Sequence, residues 1–421
     1  MKVAAHKIYT PVFVVLLLLQ LYLPSFKANI FLQIATLLLF VVIENVKLSV
    51  QFFRQVMPLV LLLFLGFIGT ILHRYRIYDV LKDIFHFLKP IVGLLVGYII
   101  ARRINNITLF VRAIVIACIV SAVIHFGIIA VMVRNINYIE SIREFTKDNF
   151  LELFGIFFII FFKKLEGREL IGNVLHRRLC LLLLSVSCIL YFSRTMIILA
   201  IILIMAFYGY TRITRTTIKV FAAGGIAIIA LFAYLNTANI KRDARGLENF
   251  LYKIKNAPGE IFETNINREN HADLWDHWRA YEAKRAIMLM NEEPQSYVYG
   301  TGYGSLVNLK FFAPLTGDDK GIRYISDLHN GYINILYKLG IIGLIIYISL
   351  LIKLYRYINR GFSFAHVMVS SIGLIYIITS VMITGMYNGR DIMIFILGGV
   401  IYHSTIMGSK GIENKLTDGK Q

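Results

Sequence analysis

Uncharged apolar runs, each near the length that a helix needs to cross a bilayer, recur along almost the whole chain. Val12 to Leu19 and Leu59 to Ile68 are the centres of two of them. Lipid offers no partner to a backbone N–H or C=O, so spanning segments close their hydrogen bonds internally as helices or as closed barrels. About 20 consecutive apolar residues specify the helical solution. The chain is therefore expected to fold as an all-α, polytopic bundle of about twelve spans, near 8–26, 28–46, 56–73, 84–101, 107–133, 149–163, 178–193, 195–211, 218–236, 330–352, 364–385 and 391–408. The break between 236 and 330 leaves one large polar loop between spans 9 and 10. Three regions follow: helices 1–9 over 1–235, the loop over 236–328, and helices 10–12 with a tail over 329–421.

Charge serves topology here, not nucleic-acid binding. The net charge is +19, yet the loop from Asn236 to Leu328 holds 12 basic and 13 acidic residues, leaving 32 basic and 12 acidic among the apolar segments. Basic residues favour the cytoplasmic side of short loops. Lys2 and Lys7, Arg102 and Arg103, Lys163 to Arg178, Arg212 to Lys219, and Lys353 to Arg360 place both termini inside and the long loop outside. Arg74, Arg76 and Lys82 oppose that trend, softened by Asp79 and Asp83. The first run follows Lys2 and Lys7 and lacks a small-residue cleavage pattern, so it reads as a retained span. Cys118, Cys180 and Cys188 lie in apolar runs without metal spacing and read as small buried hydrophobes. No internal repeat is visible, which disfavours a transporter of inverted repeats.

Inside the loop, Ala272 to Met290 carries Leu274, Trp278, Tyr281 and Arg285 at helical spacing. A run with Gly300, Gly302 and Gly304 follows Pro294. It lacks the Lys-Ser/Thr ending of a phosphate loop and reads as a turn where the backbone approaches another element. Trp275 and Trp278 lie within four residues of Arg279; they are suited to stacking on sugar rings and equally to core packing. Arg194, between two spans on the outer side, reads as a snorkelling boundary residue or as an anion ligand. His329-Asn330 stands where the loop meets an apolar helix, with Asp327 as a simple cap candidate. The intramembrane polar groups Glu44, Arg112, His125, Glu152, Lys338, His366 and His403 look scattered, with Lys338 and Arg112 reaching the interface by snorkelling.

These residues resemble a known family. His329-Asn330, nine residues, Gly340, two residues and Gly343 is similar to the H-N-x9-G-x-x-G signature of the O-antigen ligase and Wzy-type O-antigen polymerase superfamily. Ser193-Arg194 before an apolar span resembles its S-R motif, and Arg279 before Pro294 and the glycine run resembles its loop arginine. The resemblance covers roughly Tyr191 to Leu354 and does not separate polymerases from ligases.

It implies a GT-C-like glycosyltransferase of the bacterial inner membrane, with a periplasm-facing site and a glycan donor on undecaprenyl diphosphate. It implies no nucleotide sugar, no cofactor and no required metal; the loop shows no D-x-D pair, although Asp318-Asp319 could be mistaken for one. Catalysis is expected from His329, Arg279 and Arg194, with substrate contacts at Asn330, Trp275, Trp278 and Tyr303. The acceptor is another glycan or lipid A-core, and a chain-length regulator and membrane lipids are the remaining partners. The leading reading is a polymerase of O-antigen or capsular repeat units. A ligase is the alternative, and a lipid-linked glycan flippase is less favoured.

Overall fold

The computed structural model describes residues 5–418, apart from 24, 44–48, 133–149, 192, 243–246, 264, 268 and 315–320. A helix stands at each of the twelve expected places: α1 (Ala5–Tyr22), α2 (Phe26–Ile43), α3 (Val50–Leu72), α4 (Ile77–Ile104), α5 (Ile107–Met132), α6 (Leu151–Glu166), α7 (Val174–Leu190), α8 (Arg194–Phe207) and α9 (Arg215–Thr237) precede the loop. After it come the helices from Gly331, Phe364 and Met393. Eight of the described helices are both long and apolar enough to cross a membrane, while Arg194–Phe207 and Met393–Thr405 are shorter apolar helices. The chain is thus a polytopic membrane protein. Polar caps set the helix starts: Ser49 accepts from the Phe52 amide at 3.1 Å, and Asn173, Ser193 and Thr214 cap their own helices similarly.

The loop carries α10 (Leu247–Lys255), α11 (Gly259–Phe262), α12 (His271–Asp276), α13 (Trp278–Glu292) and α14 (Ser296–Tyr299). It also carries two strands, β1 (Val307–Ala313) and β2 (Ile322–Ile325), so the molecule is not all-α. They pair antiparallel, with Val307 opposite Ile325 and an irregularity between Asn308 and Ala313. The alternation explains the strand. Val307 and Leu309 are buried while Lys310 is exposed, the two-residue period of a half-covered sheet. These strands close a small core with Leu274, Trp278, Tyr281 and Met290, sealed by Tyr337. Burying each Leu or Val of this water-facing core contributes about 1.5–3 kcal/mol. The expected Ala272–Met290 helix is broken at His277 (φ −117°, ψ 23°), whose ring nitrogen Nδ1 lies 3.0 Å from the Asp273 carboxylate.

After the strands the chain continues as α15 (Gly331–Tyr355), α16 (Phe364–Met382) and α17 (Met393–Asp418). The bundle is tightest where α4 meets α17. A Cβ at Gly97 would lie 2.1 Å from the Phe395 carbonyl oxygen, and one at Gly398 would lie 2.2 Å from that of Leu94. Small residues let helix backbones approach this closely where lipid supplies no hydrophobic drive between them. Helix α4 starts seven residues before the expected span and carries Asp79, Lys82 and Asp83 in its first turns. Lys338 does not snorkel. Its ammonium is fully buried 2.6 Å from the Asp83 carboxylate, and the same carboxylate accepts from the Gly304 amide at 2.7 Å. His125 and Glu152 are not scattered either: Ser187 and Tyr191 hold the former, and Ser121 and Tyr191 the latter, in one buried chain of contacts.

Candidate active site

Gly340 unwinds α15 (φ 68°, ψ −170°). The break frees the carbonyls of Tyr337 and Lys338, and the glycine run supplies their partners: Thr301 donates to Tyr337 at 2.8 Å and Gly302 to Lys338 at 3.0 Å. On its other side the run presses on α3, where a Cβ at Gly302 (φ 82°) would meet the Thr70 nitrogen at 2.2 Å. Positive φ and close approach together require glycine there. The turn expected from the sequence is therefore a wedge between α3 and α15. It fixes the loop against the start of α15, where His329 stands.

Ser193 caps α8, accepting from the Met196 amide at 3.4 Å, and Arg194 is the first residue of that helix. A helix N-terminus favours anions through its free amides and dipole. Arg194 grips the Glu260 carboxylate with both terminal nitrogens, at 2.8 and 3.2 Å, and also donates to the Lys253 carbonyl. Arg279, from α13, donates to the second oxygen of the same carboxylate. Two arginines 85 residues apart in sequence thus converge on one anion, supplied by the short helix α11.

His329 is tied to the same helix that carries Arg279. Glu282, 2% exposed, accepts from the His329 backbone amide at 3.0 Å and faces its Nδ1 at 2.9 Å. Residues 279 and 282 are three apart, so their side chains are neighbours on one face of α13. The order across the site is Arg194, Glu260, Arg279, Glu282, His329. The imidazole itself is half exposed, open to a reactant.

The other expected residues fall differently. Asn330 is the cap of α15, its oxygen accepting from Tyr332 at 3.1 Å and Ile333 at 3.2 Å, so Asp327 is not the cap. Asp327 instead faces Lys82 and His86, each at 3.8 Å. Burial pushes its carboxyl up, but His86, Lys82 and Lys338 outweigh that and hold it below the ordinary carboxylate range. Trp278 is packed in the loop core with Tyr281 and Phe311, while Trp275 is the more exposed of the stacked pair, whose ring centres lie 5.0 Å apart. Tyr303 is fully buried, its hydroxyl donating to the Leu63 carbonyl at 2.8 Å, so it presents no face to a ligand. Asp318-Asp319 lie outside the described residues. Beside Arg194, a cavity of about 310 Å³ opens between Leu21, Phe150, Thr195, Asn388 and Arg390.

Residues 179–348 match the Wzy_C family model, described as O-antigen ligase. This segment, less than half of the chain, is similar to the O-antigen ligase family. It begins in α7, ends in α15 and contains Arg194, Arg279 and His329. No curated protein matches the chain. The match supports a ligase or polymerase role in O-antigen synthesis. Glu260 and Glu282 belong to the same constellation, and the sequence reading missed both. The signal for Glu282 was its position one turn after Arg279 on the expected loop helix. Glu260 had none, being one acid among many in a charge-balanced loop.

Proposed function

We propose that the protein is a polymerase that joins undecaprenyl-diphosphate-linked repeat units into O-antigen or capsular polysaccharide. The supporting observation is the shared carboxylate: Arg194 and Arg279 bind one anion, and His329 stands on the neighbouring turn through Glu282. A carboxylate between two guanidiniums stands in for the kind of anion they are suited to bind, here a diphosphate. Donor entry displaces Glu260. The acceptor hydroxyl then attacks the anomeric carbon, the bond to the diphosphate oxygen breaks, and the electron pair leaves with the diphosphate. The two arginines stabilise the charge that grows there. The hydroxyl proton passes to Nε2 of His329, whose Nδ1 is directed to Glu282. Imidazole is the side chain most often used as a general base in catalysis. A single displacement inverts the anomeric centre and calls on no metal. The loop faces the periplasm and both termini the cytoplasm, in keeping with the basic short loops on the opposite side.

The description of the matched family favours one alternative, a ligase that moves the finished glycan to lipid A-core. Alanine at His329, Arg194 or Arg279 is expected to abolish glycan transfer with membrane insertion intact, each arginine costing about 2.7–4 kcal/mol of transition-state stabilisation. In a deletion strain, lipopolysaccharide capped by a single repeat unit identifies a polymerase. Bare core, with polymer stranded on the carrier lipid, identifies a ligase. Full transfer activity in the His329→Ala variant rejects the general base.

A further inference from the structure

The face of α13 turned away from Arg279 and Glu282 lines a second site. Tyr281, Lys284, Arg285 and Met288 follow one another at helical spacing and form one wall of an open cleft of about 420 Å³. Asn267 and Glu269 line it from the segment before α12, and Lys310 lines it from β1. Among the described residues, Lys284, Arg285, Lys310 and one carboxylate, Glu269, line the cleft. Arg285 is 6% exposed. Its Nε donates to the Asn308 carbonyl at 2.9 Å and its Nη1, among the described residues, reaches the Met288 sulfur, at 3.4 Å. Its Nη2 is buried with no partner among the described residues. The contrast with its neighbours is chemical. Arg194 and Arg279 share Glu260, and Arg242 is held by Asp276 at 3.0 Å, whereas Arg285 has no carboxylate of its own among the described residues. A buried guanidinium donor left unmet is costly, and such charges are ordinarily paired. Lys310 adds a second mark of a built site. It holds a left-handed backbone (φ 65°), with its amide donating to the Asn308 side chain at 2.9 Å, at the irregularity of the hairpin. Non-glycine residues in that conformation are costly and cluster where function requires them.

We propose that this cleft is a glycan subsite that takes an acidic sugar residue, its carboxylate completing the Arg285 fork and its ring lying against Tyr281. Asn267 and Glu269 are placed to bind the hydroxyls. Arg279 and Arg285 are six residues apart, about 9 Å along the helix axis, so one glycan chain can run from the reacting centre round α13 into the cleft. The inference rests on the transferase reading and specifies its substrate as a repeat unit containing a sugar acid.

The test is a binding titration that needs no turnover. Purified full-length protein in lipid nanodiscs is titrated with a short oligosaccharide ending in glucuronic acid and with the same oligosaccharide ending in glucose. The acidic probe is expected to bind about 10- to 100-fold more tightly, the range of one charge-assisted contact. Arg285→Gln is expected to remove that preference. Lys310→Gln, at an exposed position, is expected to weaken it severalfold without risk to folding. Equal binding of the two probes, binding of neither, or an undiminished preference in both variants overturns the subsite. His329→Ala separates the two readings. It is expected to lose transfer while keeping the acidic preference; if it keeps transfer, the catalytic assignment fails and the titration still decides the cleft.

Discussion

Replacing Glu282 by Gln tests the catalytic geometry most directly. The carboxylate serves two donors at once, the His329 amide at 3.0 Å and Nδ1 at 2.9 Å. Both donors fall on Oε2, and Nδ1 also lies 3.1 Å from Oε1, so a glutamine sets its NH2 against the backbone amide in one orientation and against Nδ1 in the other. The lost bond costs about 1.5–3 kcal/mol locally, as a hydrogen bond to a charged group does. The kinetic effect is larger. To accept from the amide NH2 the imidazole moves its proton to Nε2, the atom that must receive the acceptor's proton; otherwise the ring swings out of place. Either way general-base catalysis is lost, a factor of about 10²–10⁴. The rate constant for transfer is therefore expected to fall by about 10²–10⁴ while KM for the lipid-linked donor stays nearly unchanged, because both arginines remain. The assay follows growth of lipid-linked repeat units into longer glycans on gels, with thermal unfolding in detergent as the control for folding. Glu282→Gln combined with His329→Ala is expected to be no slower than His329→Ala alone, since residues that act as a unit are not additive. Turnover of the single variant within about threefold of the parent, or additive losses in the double variant, refutes the dyad.

Other consequences follow from the same contacts. Glu260→Gln removes the anion that the donor displaces, so KM for the lipid-linked donor is expected to drop by about tenfold, equivalent to 1.4 kcal/mol, while the thermal midpoint falls; a raised KM contradicts the displacement. Lys338→Met leaves Asp83 buried and uncompensated and is expected to destabilise by about 3–5 kcal/mol, whereas Asp83→Leu with Lys338→Met recovers most of that in thermal unfolding. The Gly69 carbonyl, then the Glu293 carboxylate, raise the His73 imidazole above its ordinary value against the opposing effect of burial. The stabilisation from this link is full below about pH 6.5 and is lost as pH rises through the folded-state value. Unfolding temperatures of the parent and His73→Gln, measured from pH 5 to 8, are expected to differ most at the acid end and to converge at the alkaline end.

Much of this architecture was legible because lipid imposes strong rules. Apolar length located every one of the twelve helices, and motif spacing singled out Arg194, Arg279 and His329, which the fold gathers at one end of the bundle. The glycine run announced a close approach, although not that its amides complete a broken helix. What escaped lies in the loop, where water removes those rules. The hairpin was written in the alternation of Val307, Asn308, Leu309 and Lys310, but four residues are a weak signal beside long apolar runs. Glu260 and Glu282 acquire their roles only from tertiary pairing, which leaves no mark on local sequence. Lys338 looked like an interfacial lysine because its partner, Asp83, is 255 residues away.

The interruption at Gly340 has a mechanical consequence. Because the unwound stretch borrows its hydrogen bonds from Thr301 and Gly302, the sugar-side cap and the lipid-side half of that helix are stitched into one body. Under the proposed function, a saccharide bound at the cap would act on the greasy half of the helix through these hydrogen bonds. In that reading a lipid-linked substrate, its carrier in the bilayer and its sugars in water, meets a single rigid lever.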